Sequence, residues 1–409
     1  MSYPTLRLHP RKEESVLRFH PWIFSGAIAS FSAPVEDGDL VSVVDSKGRP
    51  LGTGHFGGGS IAVRLLSFDA EEVIDRAFYK RRLEAALRLR LSCDLVRPVG
   101  SSDSPNTTYR LVHGEGDSLP GLIIDIYDRT AVVQAHSLGM HQARQTIAEV
   151  LWEVFAEAGD PVLPLGGIYY KSETTLPTRD MRELASDGFL IGHTEAAPIY
   201  ENGVRFTPDW LKGQKTGFFI DQRDNRALVA HYAKGRTVLN AFCYTGGFSI
   251  YALHAGAKRV DSLDSSSKAM YLTEQHVALN FGTDCPRHHS VTEDAFDYLE
   301  RMPEGEYDLI ILDPPAFAKH RKVLRNALIG YRKINSIAFK KVAPGGIVFT
   351  FSCSQAVSKE EFRLAVFTAA AASGRKVRIL HQLTQPVDHP INIYHPEGEY
   401  LKGLVLYVE

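Results

Sequence analysis

The sequence predicts an α/β protein in three parts: a small β-rich module over residues 1–73, a central α/β region over 74–197, and a C-terminal region over 198–409 around a mostly parallel sheet. Three observations carry that prediction. Up to residue 73, short runs with alternating apolar positions, such as IAVRLL, are punctuated by Gly, Pro and Asp. A basic helical stretch at residues 76–91 then opens a region that combines paired strands with an amphipathic helix. From about residue 199, apolar strands alternate with helices, the pattern that crossover connections impose on a parallel sheet. A chain of 409 residues, 44% hydrophobic and 23% charged, has the length for two or three domains and the composition of a folded protein.

In the first part, GDLVSVVDSKGRPLGTGHFGGGSIAVRLLS reads as strands joined by a tight DSKGRP turn, hence a small barrel-like module. In the second, the polar run SSDSPNTT is an exposed loop. GLIIDIYDRTAVVQAH follows as a hairpin turning at Asp128-Arg129, and ARQTIAEVLWEVFAEAG carries the apolar period of an amphipathic helix.

The third part is read from its strand ends, because ligands of an open parallel sheet bind outside the carboxyl ends of the strands. TVLNAFCYTGGFSIYALHAGA is strand, turn and helix, with the turn at residues 240–247. Its two glycines let the backbone approach a ligand, and the helix start aims amide groups at it. RVDSLDSS ends the next strand at Asp264, whose carboxylate can take both hydroxyls of a ribose. SVTEDAFDYL offers Asp294 at a helix start, suited to an adenine amino group. YDLIILDPPAF ends a strand at Asp313, held in a rigid turn by Pro314 and Pro315.

A nicotinamide site would place G-x-G-x-x-G in the first turn, and NAFCYTGGFS does not match it. Each acid alone reads best as a helix cap or turn former. Acids at successive strand ends without a phosphate-binding fingerprint instead predict S-adenosylmethionine, which has ribose, adenine and an amino-acid tail but no phosphate.

Charge and cysteine usage narrow the class. The net charge of −2 says nothing about a polyanionic partner, but its distribution does. Residues 316–343 hold Lys319, Arg321, Lys322, Arg325, Arg332, Lys333, Lys340 and Lys341 and no acid. A second cluster, RAFYKRRLEAALRLR from Arg76, sets six basic residues against Glu84. Two such runs predict a surface that meets phosphates. Cys93, Cys243, Cys285 and Cys353 are scattered without a CxxC pair, which predicts neither a disulfide framework nor a metal site. The start MSYPTLRLHPRKEES has no apolar core, and no apolar run approaches the roughly 18 residues of a membrane helix. A cytoplasmic protein is expected.

GQKTGFFIDQRDNR (residues 213–226), NAFCYTGGFS, DPPAFAK and FSCS together resemble the bacterial ribosomal RNA large-subunit methyltransferase I family, over essentially the whole chain. The resemblance implies a PUA-like RNA-binding domain at the N-terminus and a Rossmann-like class I methyltransferase domain at the C-terminus. It further implies methylation of carbon 5 of a cytosine in large-subunit ribosomal RNA. Carried over by position, it implies a cofactor site of Asn240, Phe242, Tyr244, Thr245, Gly246, Asp264, Ser265, Asp294, Ala295 and Asp313. The preceding segment adds Lys215, Asp221 and Arg223, the last being chemically suited to a methionine carboxylate. Asp221 and Arg223 have an alternative reading as ties for their own segment. Lys319, Arg321, Lys322 and Arg325 are the RNA contacts expected from the basic run. The oligomeric state stays open, a homodimer being one option.

The resemblance also explains why GGIVFTFSCSQ delivers Cys353 at the end of an apolar strand. A free cysteine is ordinarily a small core filler. Carbon 5 of cytosine, however, becomes nucleophilic only once a thiolate has added to carbon 6, and cysteine is the natural residue for that step. Asp313 is then expected to hold the polar edge of the base. Pro314-Pro315-Ala316 lacks the second cysteine that many RNA cytosine methyltransferases carry after this proline, in agreement with the family named. Two rivals remain at this level. An amino-directed methyltransferase, for instance acting on guanine N2, would use Asp313 before the proline pair and need no thiol. A ribosome-assembly factor would bind RNA without catalysis.

Overall fold

The computed structural model describes residues 3–177, 186–318 and 320–409, and the chain forms two compact units. The first comprises Met1–Gly203, Thr207–Ile220 and Val387–Gly398; the second comprises Val204–Phe206, Asp221–Pro386 and Glu399–Glu409.

The first unit holds two sheets. In one, β1 (Thr5–Leu8), β2 (Trp22–Phe24), β3 (Ile28–Phe31), β4 (Leu40–Val44), β5 (Pro50–Phe56) and β6 (Ile61–Ser67) lie in the order β2-β6-β5-β4-β1-β3. The alternation seen in sequence turns Val41, Val43, Val63 and Leu65 inward against Leu6, Leu8 and Ile23. In the other, β7 (Thr108–His113), β8 (Leu122–Tyr127), β9 (Thr130–Ala135), β10 (Gly167–Tyr170) and β11 (Gly188–Gly192) lie in the order β11-β10-β9-β8-β7. The β8–β9 hairpin turns where expected: Tyr127 pairs with Thr130, and Asp128 takes φ +55°, a left-handed conformation that Asp tolerates.

The helices Arg76–Ser92 and Arg144–Ala158 cover this second sheet with Phe78, Leu83, Leu87, Ile147, Leu151 and Val154. The charge of the first helix is largely compensated. Arg76 and Lys80 pair with Glu153, Arg81 and Arg82 with Glu72, and the fully buried Arg90 with Asp117. Acids distant in sequence thus neutralise a run that reads as a phosphate-binding face when counted in a window.

Two short strands follow, β12 (Ile199–Glu201) in the first unit and β13 (Val204–Phe206) in the second. The core of the second unit is a seven-stranded sheet of β14 (Thr237–Ala241), β15 (Arg259–Asp264), β16 (His288–Thr292), β17 (Leu309–Leu312), β18 (Gly346–Ser352), β19 (Val377–Leu383) and β20 (Lys402–Val408). Their order is β16-β15-β14-β17-β18-β20-β19, parallel except for β20, which runs antiparallel to both β18 and β19. This is the expected Rossmann-like sheet. Leu239, Ile310, Leu312 and Val348 pack on Leu299, Ile334, Phe339 and Phe362 from the connecting helices. The order reverses between β14 and β17, so the ligand crevice lies outside the carboxyl ends of those two strands. Among the described residues, no helix is long and apolar enough to cross a membrane.

Candidate active site

The turn after β14 is held in a conformation most residues avoid. Phe242, Tyr244 and Gly246 all have positive φ, at +58°, +49° and +77°. For the two aromatic residues this costs on the order of 1–3 kcal/mol each, and it persists because the surroundings fix it. The Cys243 amide donates to the Leu263 carbonyl at 3.0 Å, and the Tyr244 amide to Asp264 Oδ2 at 3.0 Å. From the helix Ser267–Phe281, Thr273 Oγ1 donates to the Tyr244 carbonyl at 3.1 Å, and His276 Nδ1 lies 2.8 Å from the Thr245 carbonyl.

Gly246 is required twice over. Besides its φ, a Cβ there would lie 2.6 Å from Thr273 Cγ2. Gly246→Ala is therefore expected to weaken cofactor binding at least about tenfold, since roughly 1–2 kcal/mol of left-handed strain adds to a displaced Thr273. Calorimetric titration with S-adenosylhomocysteine checks this.

Under the turn, Asn240 is fully buried. Its Nδ2 donates to Ser249 Oγ at 2.9 Å, and the chain continues through Ser262 Oγ at 2.7 Å to His288 Nε2 at 2.8 Å. That row ties β14, β15, β16 and the helix Gly247–His254 together. Asn240 Oδ1 is buried with no hydrogen-bond partner among the described residues. Such an acceptor ordinarily finds a donor.

Asp264 ends β15 and takes one backbone amide on each oxygen, from Tyr244 and from Ser266, the latter at 2.9 Å. Ser265 beside it is exposed. Asp294 caps the helix Ala295–Arg301, its Oδ1 accepting from Phe296 and Asp297 amides at 2.8 and 3.2 Å, while Ala295 is buried. Carboxylates at consecutive strand ends, each with remaining lone pairs, and an orphaned buried carbonyl fit a ligand rich in hydroxyl and amino donors. S-adenosylmethionine is such a ligand.

Asp313 follows β17, half-buried, with Oδ2 accepting from Gln222 Nε2 at 3.0 Å. Gln222 is itself held through its Oε1 by Asn225 Nδ2 at 2.6 Å. Gln222 stands inside the quoted GQKTGFFIDQRDNR segment, but nothing in the linear sequence ties it to a strand end some ninety residues on. Asp221 accepts the Tyr400 hydroxyl at 2.7 Å, and Arg223 is 1% exposed at the start of the helix Arg223–Ala233. Lys215 belongs to the first unit, its ammonium 4.5 Å from the centre of the Phe219 ring.

Cys353 leaves β18 next to Asp313's strand, since Leu312 pairs with Thr350. The two loops are tied by Ser354 Oγ donating to the Ala318 carbonyl at 2.5 Å. Both Cys353 and Asp313 act on Tyr331, whose hydroxyl burial pushes up to about 12, with the two acidic groups adding to the rise. A row of rings crosses the strand ends, from Phe242 to Phe296 at 6.4 Å, to Phe317 at 6.2 Å and to Tyr331 at 4.7 Å. Cys243, by contrast, packs inside its turn, with Sγ 3.6 Å from Met270 Sδ, and burial pushes its thiol up.

Of the expected RNA contacts, Arg321, Lys322 and Arg325 are exposed around the start of the helix Leu324–Lys341, and Arg321 also reaches Glu361 at 3.3 Å. Lys319 lies outside the described residues. Lys333 and Lys341 serve local partners, Glu300 at 2.7 Å and the Met302 carbonyl at 2.8 Å.

Comparison with known proteins agrees with this architecture. Residues 178–394 match the S-adenosylmethionine-dependent methyltransferase family, and residues 6–68 match the PUA-like domain. The chain is 39% identical over 404 residues to a ribosomal RNA large subunit methyltransferase I of Alteromonas mediterranea, covering 97% of each chain. It is 40% identical over 406 residues to that of Shewanella amazonensis, covering 98% of each. A solved Streptococcus mutans chain assigned to the S-adenosylmethionine-dependent methyltransferases shares the fold over 100% of both chains, at TM-score 0.81 and 22% identity. A solved chain assigned to the methyltransferases and complexed with S-adenosylhomocysteine has the same score, identity and coverage. With this sheet order, this coverage and these identities, the chain belongs to the ribosomal RNA large subunit methyltransferase I family and is an S-adenosylmethionine-dependent methyltransferase.

Proposed function

We propose that this enzyme methylates carbon 5 of a cytosine in large-subunit ribosomal RNA through a covalent adduct on Cys353, in the cytoplasm. The observation that carries the reading is a cysteine at the end of β18, one strand from Asp313 and its proline pair at the switch-point side of the sheet. In this reading the Cys353 thiolate forms a bond to carbon 6, and the displaced ring electrons make carbon 5 nucleophilic. When bound, S-adenosylmethionine supplies an electrophilic methyl group to that carbon. Loss of the carbon-5 proton then returns an electron pair to the ring, and the carbon–sulfur bond breaks to release the thiolate. Asp313, oriented by Gln222, holds the exocyclic amino group or, if protonated, donates to ring nitrogen 3; either contact favours charge moving onto the ring.

Within the second unit the cofactor is assigned to Asn240, Phe242, Tyr244, Thr245, Gly246, Asp264, Ser265, Asp294, Ala295 and Asp313, with Asp221 and Arg223 from the preceding segment. The three-part division at residues 73 and 197 assigns RNA binding first to the PUA-like module, and Lys319, Arg321, Lys322 and Arg325 add phosphate contacts. Because such contacts release counterions, affinity for the RNA is expected to fall roughly fiftyfold between 50 and 200 mM salt if about four phosphates are neutralised. The triple substitution Arg321→Glu, Lys322→Glu and Arg325→Glu should flatten that slope while leaving cofactor affinity intact, measured by filter binding and calorimetry. Mass spectrometry of ribosomal RNA from cells lacking the protein tests the whole reading: one 5-methylcytosine should revert to cytosine. A lost methyl on a guanine amino group would replace it with the amino-directed alternative.

A further inference from the structure

Lys402 opens β20 directly opposite Ser352 of β18, and its side chain is almost entirely buried. Its ammonium donates to the Ser354 carbonyl at 2.6 Å and the Tyr400 carbonyl at 2.8 Å. The charge is thereby fixed against the residue that follows Cys353, with one N–H still to donate. A lysine is rarely buried without an ionic partner. Among the described residues Lys402 has no carboxylate within ion-pair distance.

The acids nearest to it are engaged elsewhere. Glu399 pairs with Lys359, and Glu361 with Arg321 and with the cap of the helix Lys359–Ser373. The groups that act on one another here are Lys402 from β20, Tyr331 from the helix Leu324–Lys341, Asp313 after β17 and Cys353 itself, with Glu399, Glu361 and Lys359 around the ammonium. Of the two cations in this group, Lys402 is the one bonded to the backbone next to Cys353, whereas Lys359 pairs with Glu399. Burial brings the Lys402 ammonium down to about 8, and a negative Cys353 is the leading influence raising it again.

We propose that Lys402 is the positioning residue of the methyl-transfer reaction, its ammonium stabilising the Cys353 thiolate and fastening the strand-end loop that presents it. The thiol proton leaves to water, and no further reactant is needed. The inference rests on the reading of Cys353 as nucleophile, yet it is tested without RNA or methyl transfer. Iodoacetamide labelling of the folded, full-length protein, followed across neutral to alkaline pH by mass spectrometry of the Cys353 peptide, reports the ionisation of that thiol alone.

Lys402→Gln and Lys402→Met should each raise the apparent Cys353 pKa by about one unit or more. Each unit should slow labelling at neutral pH about threefold, because thiolate falls tenfold while its nucleophilicity rises. Lys402→Arg should restore most of the original profile. If Lys402→Met does not fold, Lys402→Gln, which keeps a donor for the two carbonyls, carries the comparison. An unmoved Cys353 pKa in the folded Gln variant overturns the assignment to Lys402, whereas an active Cys353→Ala enzyme overturns the covalent reading beneath it.

Discussion

Cys353→Ala is expected to lose methyl transfer by at least about 10⁴-fold, the scale on which enzymes lose activity when their nucleophile is removed. Cofactor binding should stay within a factor of about two, because the turn after β14 and Asp264 are fixed by contacts that do not involve Cys353. The split between retained binding and absent turnover separates a chemical role from a structural one. Cys243→Ala is the informative control. Its thiol is buried against Met270, and its backbone amide, not its side chain, anchors the turn to β15. That variant should still form the covalent bond to RNA, with a stability loss of about 1 kcal/mol for the missing sulfur contacts. Transfer of labelled methyl to RNA and S-adenosylhomocysteine titration measure the two quantities.

Asp264→Ala should weaken S-adenosylmethionine binding roughly a hundredfold, by about 3 kcal/mol, the worth of the two charge-assisted ribose hydrogen bonds that the proposed site gives it. The side chain has a second task that adds to this. It receives the amides of Tyr244 and Ser266, one holding the strained first turn and the other leading into the helix Ser267–Phe281. Removing it orphans both amides as well as any ligand hydroxyls. Calorimetric titration of the variant checks the size of the effect, and parallel titration of the parent protein with NAD should show no binding. Tight NAD binding would contradict the reading of the turn as one that does not cradle phosphate.

The strand ends were the legible part of the candidate site. A parallel sheet concentrates its chemistry at the carboxyl edge, so a list of residues following each apolar run already names Asp264, Asp294 and Asp313. What could not be read were partners brought in by β20. That strand comes last in the chain yet inserts antiparallel between β18 and β19, so Lys402 meets the Cys353 loop from about fifty residues downstream. Gln222 is similar, placed against Asp313 by packing alone. Charge counting overstated the helix Arg76–Ser92 for the same reason: Glu72, Glu153 and Asp117 compensate Lys80 and four of its five arginines only in three dimensions. The hairpin at Asp128-Arg129, by contrast, was readable because its determinants are local.

The central claim is that Cys353 bonds to the cytosine during catalysis, and one trapping measurement bears on it most directly. Carbon 5 becomes accessible only when the base is unstacked, at a cost of a few kcal/mol for a paired nucleotide and less in a loop or bulge. Ribosomal RNA carrying 5-fluorocytosine at the target, incubated with enzyme and S-adenosylmethionine, should therefore yield a denaturation-resistant protein–RNA complex, because fluorine cannot leave as the proton does. Digestion and mass spectrometry should place the RNA on the peptide containing Cys353, and Cys353→Ala should give no complex. A Cys353→Ala enzyme that still methylates the RNA, on a base nitrogen and without a trapped complex in the parent, would contradict the account.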